Sequence, residues 1–178
     1  MDQTIAVFGA SSSSRGDSAY VEGVECGALL ARHGFAVATG GYGGTMEAVS
    51  EGARTAGGRV VGVTAPSVFP RRSGPNAHVT EEIPARSLIE RIDLLVANAA
   101  GVIALHGSLG TAAELIVAWN VAFIQRFSDG SPKPIVAVGA PWRDLVPYLA
   151  STLETDPGVV AVVDSASEAV RVMVDRLA

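Results

Sequence analysis

The chain has one cysteine and one lysine among its 178 residues, and only 6% of its side chains are aromatic. It also has no apolar run approaching the roughly 20 residues of a membrane-spanning helix. Each shortage excludes something. Cys26 alone cannot form an intramolecular disulfide, which fits a reducing compartment, and its helical pattern among small residues makes it buried filler. The longest apolar stretches, such as Gly101 to Leu105 and Val159 to Val163, are strand-sized. Met1-Asp2-Gln3 leads straight into Ile5-Ala6-Val7-Phe8, without a basic region, a long apolar stretch or a cleavage site, so the expected location is cytoplasmic. No basic run exceeds Arg71-Arg72 in a chain of net charge −5, which argues against nucleic acid and against membrane docking. His33 and His78 lie in separate surface-like segments with no spaced Cys or His partners, so neither a metal nor any other cofactor is expected.

What is present is a core. A hydrophobic content of 48% is ample for one domain spanning residues 1–178. Apolar runs recur at Ile5 to Phe8, Phe35 to Thr39, Val60 to Thr64, Val102 to Leu105, Ile135 to Val138 and Val159 to Val163, without polar alternation, as in strands buried on both faces. Helical patterns separate them, including Tyr20, Val21, Val24 and Ala28; Leu88, Ile92, Leu95 and Val96; and Leu115, Trp119, Ala122 and Phe123. Such alternation predicts an α/β fold, a doubly wound parallel sheet in a single three-layer α/β/α domain, with ligands beyond the carboxyl ends of the strands. Ala65 to Pro84, carrying Pro66, Pro70, Gly74 and Pro75, reads as irregular: either a flexible crossover or a flap over the ligand. Arg71 and Arg72 on it could reach an anion or simply be solvated surface.

Two glycine-rich turns carry the strongest functional signal. Thr39-Gly40-Gly41-Tyr42-Gly43-Gly44-Thr45-Met46-Glu47 and Leu105-His106-Gly107-Ser108-Leu109-Gly110-Thr111-Ala112-Ala113-Glu114 each follow an apolar run and open a helix. Glycine lets backbone N–H groups approach an anion, and the helix start adds unpaired amides and partial positive charge. The implied ligand is small and carries phosphate. Gly40, Gly41, Gly44 and Thr45 are candidates for binding it, as are Gly107, Ser108, Leu109, Gly110 and Thr111. A third loop, Gly9-Ala10-Ser11-Ser12-Ser13-Ser14-Arg15-Gly16, adds Gly9 and Ser11, although its serines could equally cap a helix starting near Asp17 or Ser18. The first turn lacks G-x-G-x-x-G and no P-loop lysine follows any glycine run, which disfavours NAD and an ordinary ATPase. Ser108 directly follows Gly107, so G-x-S-x-G is not met and Ser108 is not a nucleophile.

Glu114 and Arg91 are the chemical candidates. A carboxylate would repel phosphate, so Glu114 either stabilises the helix start from its first turn or acts on the rest of the ligand. Arg91, among Ile89, Ile92 and Leu95, either snorkels to the surface or pairs with an acid or phosphate.

Over roughly Ile5 to Val138, these motifs resemble the Lonely Guy family of cytokinin-activating phosphoribohydrolases, whose relatives were long labelled lysine decarboxylases. Gly40-Gly41-Tyr42-Gly43-Gly44-Thr45-Met46-Glu47 resembles that family's G-G-x-x-G-x-M-E/G turn. His106 to Glu114 is similar to its P-G-G-x-G-T-x-x-E motif, with His106 for the proline and Ser108 for the middle glycine. The family's R-K pair falls on Arg91 and Ile92. The resemblance implies a Rossmann-like homodimer that cleaves the N-glycosidic bond of a nucleoside 5'-monophosphate, AMP or an N6-modified AMP. Glu114 would stabilise the oxocarbenium-like sugar or orient water, and Arg91 would bind substrate and help the base leave. His106 is either a strand-end residue or a proton donor to the base. Relatives also include a molybdenum-cofactor carrier, so a binding protein without turnover is the alternative. Pyridoxal phosphate needs a Schiff-base lysine, and the only lysine, Lys133 in Ser131-Pro132-Lys133-Pro134, precedes a strand and so lies at the wrong edge.

Overall fold

The computed structural model describes residues 3–127 and 132–178. Met1, Asp2 and Ser131, which enter the readings of the chain start and of the lysine's surroundings, lie outside the described residues. Seven strands form one parallel sheet: Thr4–Phe8 (β1), Ala36–Thr39 (β2), Val60–Thr64 (β3), Glu81–Pro84 (β4), Gly101–Ala104 (β5), Ile135–Val138 (β6) and Val160–Val163 (β7). The helices between them are Ser18–Arg32 (α1), Thr45–Thr55 (α2), Leu88–Ala97 (α3), Leu109–Gln125 (α4), Ala140–Thr152 (α5) and Ala166–Leu177 (α6).

The Val/Ile/Ala runs are strands because both of their faces are covered. On one face Ile5, Val7, Val37, Val60, Ile103 and Val136 pack against Cys26 and Leu30 of α1, Val49 and Ala53 of α2, and Val170 and Met173 of α6. On the other, Ala6, Phe8, Val61, Val102 and Ala137 pack against Ile92 and Leu95 of α3, Leu115 and Trp119 of α4, and Trp142 and Val146 of α5. This is the Rossmann-like three-layer arrangement expected from the alternation. Cys26 is fully buried, and burial pushes its thiol pKa far up, consistent with inert filler.

Strand order is β4-β3-β2-β1-β5-β6-β7, so the direction of winding reverses between β1 and β5. Register pairs Ile5 with Val37 on one side and Ala6 with Val102 on the other, which brings the loops after β1, β2 and β5 side by side. A crevice at such a reversal is where ligands bind in this architecture.

One expectation is corrected. The segment Ala65 to Pro84, read as irregular, ends in β4, which pairs with β3 from Val61↔Glu81 to Thr64↔Pro84. Glu81-Glu82-Ile83-Pro84 has no buried run because it is an edge strand, largely exposed and held by its backbone. Two side-chain contacts reinforce it: Arg59 pairs with Glu81 at 2.8 Å, and the Thr64 hydroxyl donates to Glu82 at 2.6 Å.

Helices α1 and α2 pack almost backbone to backbone. A Cβ at Gly27 would lie 2.0 Å from the Val49 carbonyl oxygen, and one at Gly52 would lie 2.0 Å from that of Val24. Gly52→Ala must therefore push α1 and α2 apart. We expect it to cost about 1–3 kcal/mol, as overpacking does, read as a lowered midpoint in thermal unfolding.

Candidate functional site

At the carboxyl ends of β1, β2, β3 and β5 lies a cleft of about 230 Å³. Its floor is built around one side chain, Arg91. Leucine and isoleucine neighbours turn one side of α3 toward the sheet, and Arg91, only 6% exposed, goes with them. Its Nε donates to the Val63 carbonyl at 2.8 Å and its Nη2 to the Gly40 carbonyl at 3.0 Å, both at strand ends where carbonyls lack ladder partners. The rings of Tyr42 and Phe69 lie 5.7 and 5.8 Å from its guanidinium carbon, and the Met46 sulfur lies 3.6 Å from Nη2. Arg91 is thus no surface snorkel. Gly40 is glycine for a steric reason: a Cβ there would sit 1.6 Å from Nη2 of Arg91.

Nη1 of Arg91 approaches Oε1 of Glu114 at 3.5 Å. That is longer than the about 2.7–2.9 Å of a closed charge-assisted hydrogen bond, so both groups retain capacity toward a ligand. Burial pushes the Glu114 carboxyl up to about 7, against the pull of Arg91, while burial lowers the Arg91 pKa against the pull of Glu114. Arg91 nonetheless stays a cation, since guanidinium does not deprotonate in proteins.

The expectation that Glu114 projects from the first turn of its helix is corrected. Helix α4 starts at Leu109, so Glu114 lies in the second turn, and the first turn holds no acid. Dipole stabilisation fades within one turn. A helix-start role therefore does not account for this carboxylate.

The start of α4 borders the cleft beside the pair. The Ser108 amide donates to the Thr111 hydroxyl oxygen at 3.3 Å, which caps the helix internally. The amides of Leu109 and Gly110 have no intrahelical acceptor and remain available. A Cβ on Gly110 would meet nothing nearer than the Ser108 hydroxyl at 3.8 Å, so a ligand can approach its backbone. Gly107 serves differently: a Cβ there would strike the Thr111 hydroxyl at 2.1 Å.

Of the residues singled out from the sequence, Gly9, Ser11, Gly40, Ser108, Gly110, Thr111, Arg91 and Glu114 line the cleft. Gly41, Gly44, Thr45 and Gly107 stand behind that lining, and Leu109 lies at its margin with its side chain turned to solvent. Gly44, at φ +74°, lies so close under the first loop that a Cβ would be 2.5 Å from the Ala10 carbonyl oxygen. The Thr45 amide donates to that same oxygen at 2.8 Å, and its hydroxyl contacts Ser13 at 3.0 Å. Gly41, also at φ +74°, donates to the Thr39 hydroxyl at 3.1 Å, and the Leu109 side chain is exposed. Asp17 is the N-cap residue of α1, so the Arg15-Gly16-Asp17 tripeptide is a helix entry.

Sequence reasoning did not single out Met46, Phe69, Leu88 and Ile92 as cleft walls. A phenylalanine between Pro66 and Pro70, in a segment otherwise poor in apolar residues, was the available signal for Phe69. The segment carrying it is neither slack crossover nor free flap. Asn76 pins it to the first glycine turn, its side-chain amide donating to the carbonyls of Gly41 and Tyr42 at 3.1 and 3.0 Å and its backbone amide to Gly41 at 2.7 Å. The Tyr42 hydroxyl accepts from the Ala65 amide at 2.8 Å.

His106 stands outside the cleft, in a separate depression with Asp17, Glu22 and Pro141. It does not share a wall with Arg91 and Glu114. Lys133 donates to the carbonyls of Val96 and, at 2.8 Å, Ala99, near the amino end of β6. Among the described residues no helix is long and apolar enough to cross a membrane, and no cluster of His, Cys, Asp and Glu could hold a metal ion.

Three comparisons bear on this geometry. The chain is 32% identical over 142 residues to a cytokinin riboside 5'-monophosphate phosphoribohydrolase of Mycobacterium tuberculosis, covering 79% of this chain and 72% of that one. The fold superposes on the molybdenum cofactor binding protein of Rippkaea orientalis with a TM-score of 0.79 at 21% identity, over 100% of this chain and 99% of the other. It also superposes on the molybdenum cofactor carrier protein of Chlamydomonas reinhardtii, with a TM-score of 0.75 at 24% identity over 99% of each chain. The model of the SLOG cluster4 family matches residues 2–126, the stretch that contains every residue of the cleft, and the chain belongs to that family.

Proposed function

We propose that this protein is a phosphoribohydrolase that cleaves the N-glycosidic bond of a nucleoside 5'-monophosphate, AMP or an N6-modified AMP, to free base and ribose 5-phosphate. The observation that carries this reading is the buried Arg91–Glu114 pair at 3.5 Å beside the open start of α4. The phosphate sits against the amides of Leu109 and Gly110 with the Thr111 hydroxyl, and Gly9, Ser11 and Gly40 border the remaining ligand. Anchored there, the sugar presents its anomeric carbon to Glu114. The ionised carboxylate stabilises the positive charge that grows on the sugar as the bond to the base breaks, and it orients the attacking water. Arg91 holds the substrate and favours departure of the base. The protein acts in the cytoplasm as a homodimer. The exposed apolar stripe of Leu109, Ile116, Val117 and Ile124 on α4, with Leu88 and Ile89 on α3, supports such an association.

The test is release of free base from AMP and from N6-isopentenyl AMP, followed by chromatography. The expected result is release by the wild-type protein and none by Arg91→Ala. Nucleotide binding without release would instead favour a second reading, a carrier of a nucleotide or of molybdenum cofactor. That reading is supported by the superposition over the full chain on the cofactor-binding proteins, and by Ser108 and His106 standing where the hydrolases resembled have glycine and proline.

A further inference from the structure

Arg72 lines the same cleft beside Phe69, in the segment that follows β3. Its guanidinium carbon lies 4.5 Å from the ring centroid of Tyr42 and 4.5 Å from that of Phe69, which themselves meet edge to face at 5.6 Å. Two aromatic rings thus hold a half-buried cation in one place at little entropic cost. Other arginines on this face of the molecule are neutralised: Arg15 by Glu51 at 2.8 Å and Arg86 by Glu90 at 2.9 Å. Arg72 pairs with no carboxylate among the described residues. Arg71, its neighbour, is exposed and outside the cleft.

The charge balance of the cleft gives this cation a task. Arg91 is already met by two carbonyls and by Glu114, so once Glu114 ionises the pair brings almost no net charge. The start of α4 contributes only a partial positive charge. A phosphomonoester at neutral pH carries close to two negative charges, and nothing else in the cleft answers them. We propose that Arg72 is the specificity residue for the phosphate of the ligand, closing over a phosphomonoester dianion held at the α4 amides. The unliganded site then holds one cation, Arg72, with no carboxylate partner among the described residues, and an entering dianion supplies that partner. Nucleosides, which cannot do so, are discriminated against. This deepens the proposed function and rests only on its nucleotide-binding half.

Titration calorimetry with AMP, ribose 5-phosphate and adenosine, on wild type, Arg72→Gln and Arg72→Lys, tests it. Arg72→Gln is expected to weaken AMP and ribose 5-phosphate by about tenfold or more, the scale of a lost charge-assisted contact. Adenosine affinity should stay unchanged, Arg72→Lys should restore much of the AMP preference, and added salt should weaken AMP binding less in Arg72→Gln than in wild type. Wild-type AMP affinity in Arg72→Gln would overturn the assignment. So would an equal loss for AMP and adenosine, which would make the residue wall packing, or failure of the wild type to bind either phosphate ester. Arg72-dependent binding without base release would overturn the hydrolase alone and leave Arg72 in place.

Discussion

Glu114→Gln should release base from AMP about 10²–10⁴-fold more slowly than wild type, the range for a lost acid–base group, while binding AMP with little change. The amide keeps the size of the carboxylate but cannot carry the charge that answers an oxocarbenium-like sugar. The pH profile makes this specific. Burial has pushed the Glu114 carboxyl up to about 7, so at pH 6 it is mostly protonated and at pH 8 mostly ionised. Release by wild type should therefore rise with pH, with a midpoint near 7, and the residual rate of Glu114→Gln should lack that step. Stability moves the other way. A carboxyl whose folded pKa is raised from 4.5 to about 7 holds its proton more tightly in the folded chain. Its contribution is complete below about 4.5 and is lost as pH rises through about 7. The unfolding midpoint of wild type relative to Glu114→Gln should accordingly fall between pH 5 and pH 8. A flat activity profile in wild type would remove Glu114 from the chemistry.

Gly40→Ala should be nearly as damaging, although Gly40 contributes no functional group. Its new methyl would claim the position of Nη2 of Arg91, 1.6 Å away, so the guanidinium must leave. The carbonyls of Val63 and Gly40 then lose their donor, at about 1–3 kcal/mol for each buried acceptor left bare. Misplacement of a positioning group by an ångström costs about 10²-fold in rate, and we expect at least that in kcat/KM for base release. A second readout separates this from general damage. With Arg91 displaced, Glu114 loses the charge that holds its pKa down, so the activity step should move to higher pH. Wild-type kcat/KM with the step unmoved would show that Arg91 can relocate without consequence.

The parallel sheet was legible because Ile5 to Phe8, Val60 to Thr64 and Ile135 to Val138 are continuous apolar runs, the pattern that burial on both faces imposes. Strand β4 escaped because an edge strand needs only backbone partners, and Glu81-Glu82 carries no apolar signature. In the site, glycines announced close approach but not what approaches. Gly40 accommodates a guanidinium from a helix 51 positions away, and Gly107 the threonine of its own helix cap. The bond from Arg91 to Val63 likewise links residues 28 positions apart. Glu114 was found by motif, but its turn was misjudged because helix starts cannot be fixed to one residue from sequence. Phe69 and Arg72 lie in the least periodic segment, where only tertiary contact decides which side chain faces inward.

The two margins of the sheet have opposite characters, and this bears on how the protein avoids its own copies at high concentration. One margin, β4, is Glu81-Glu82-Ile83-Pro84: a second copy docking there would set carboxylates beside carboxylates and meet a proline without an N–H. The other, β7, is Val160-Ala161-Val162-Val163, an apolar strand whose side chains are buried or half-buried but whose outer backbone edge has no strand partner among the described residues. Its guards stand at its ends, where Arg126 pairs with Asp156 before it and Arg143 with Asp164 after it. Charged gatekeepers of this kind work only while ionised and unscreened. Strong acid or concentrated salt should therefore weaken the restraint at β7, and light scattering that rises under those conditions is the expected sign of association along that margin.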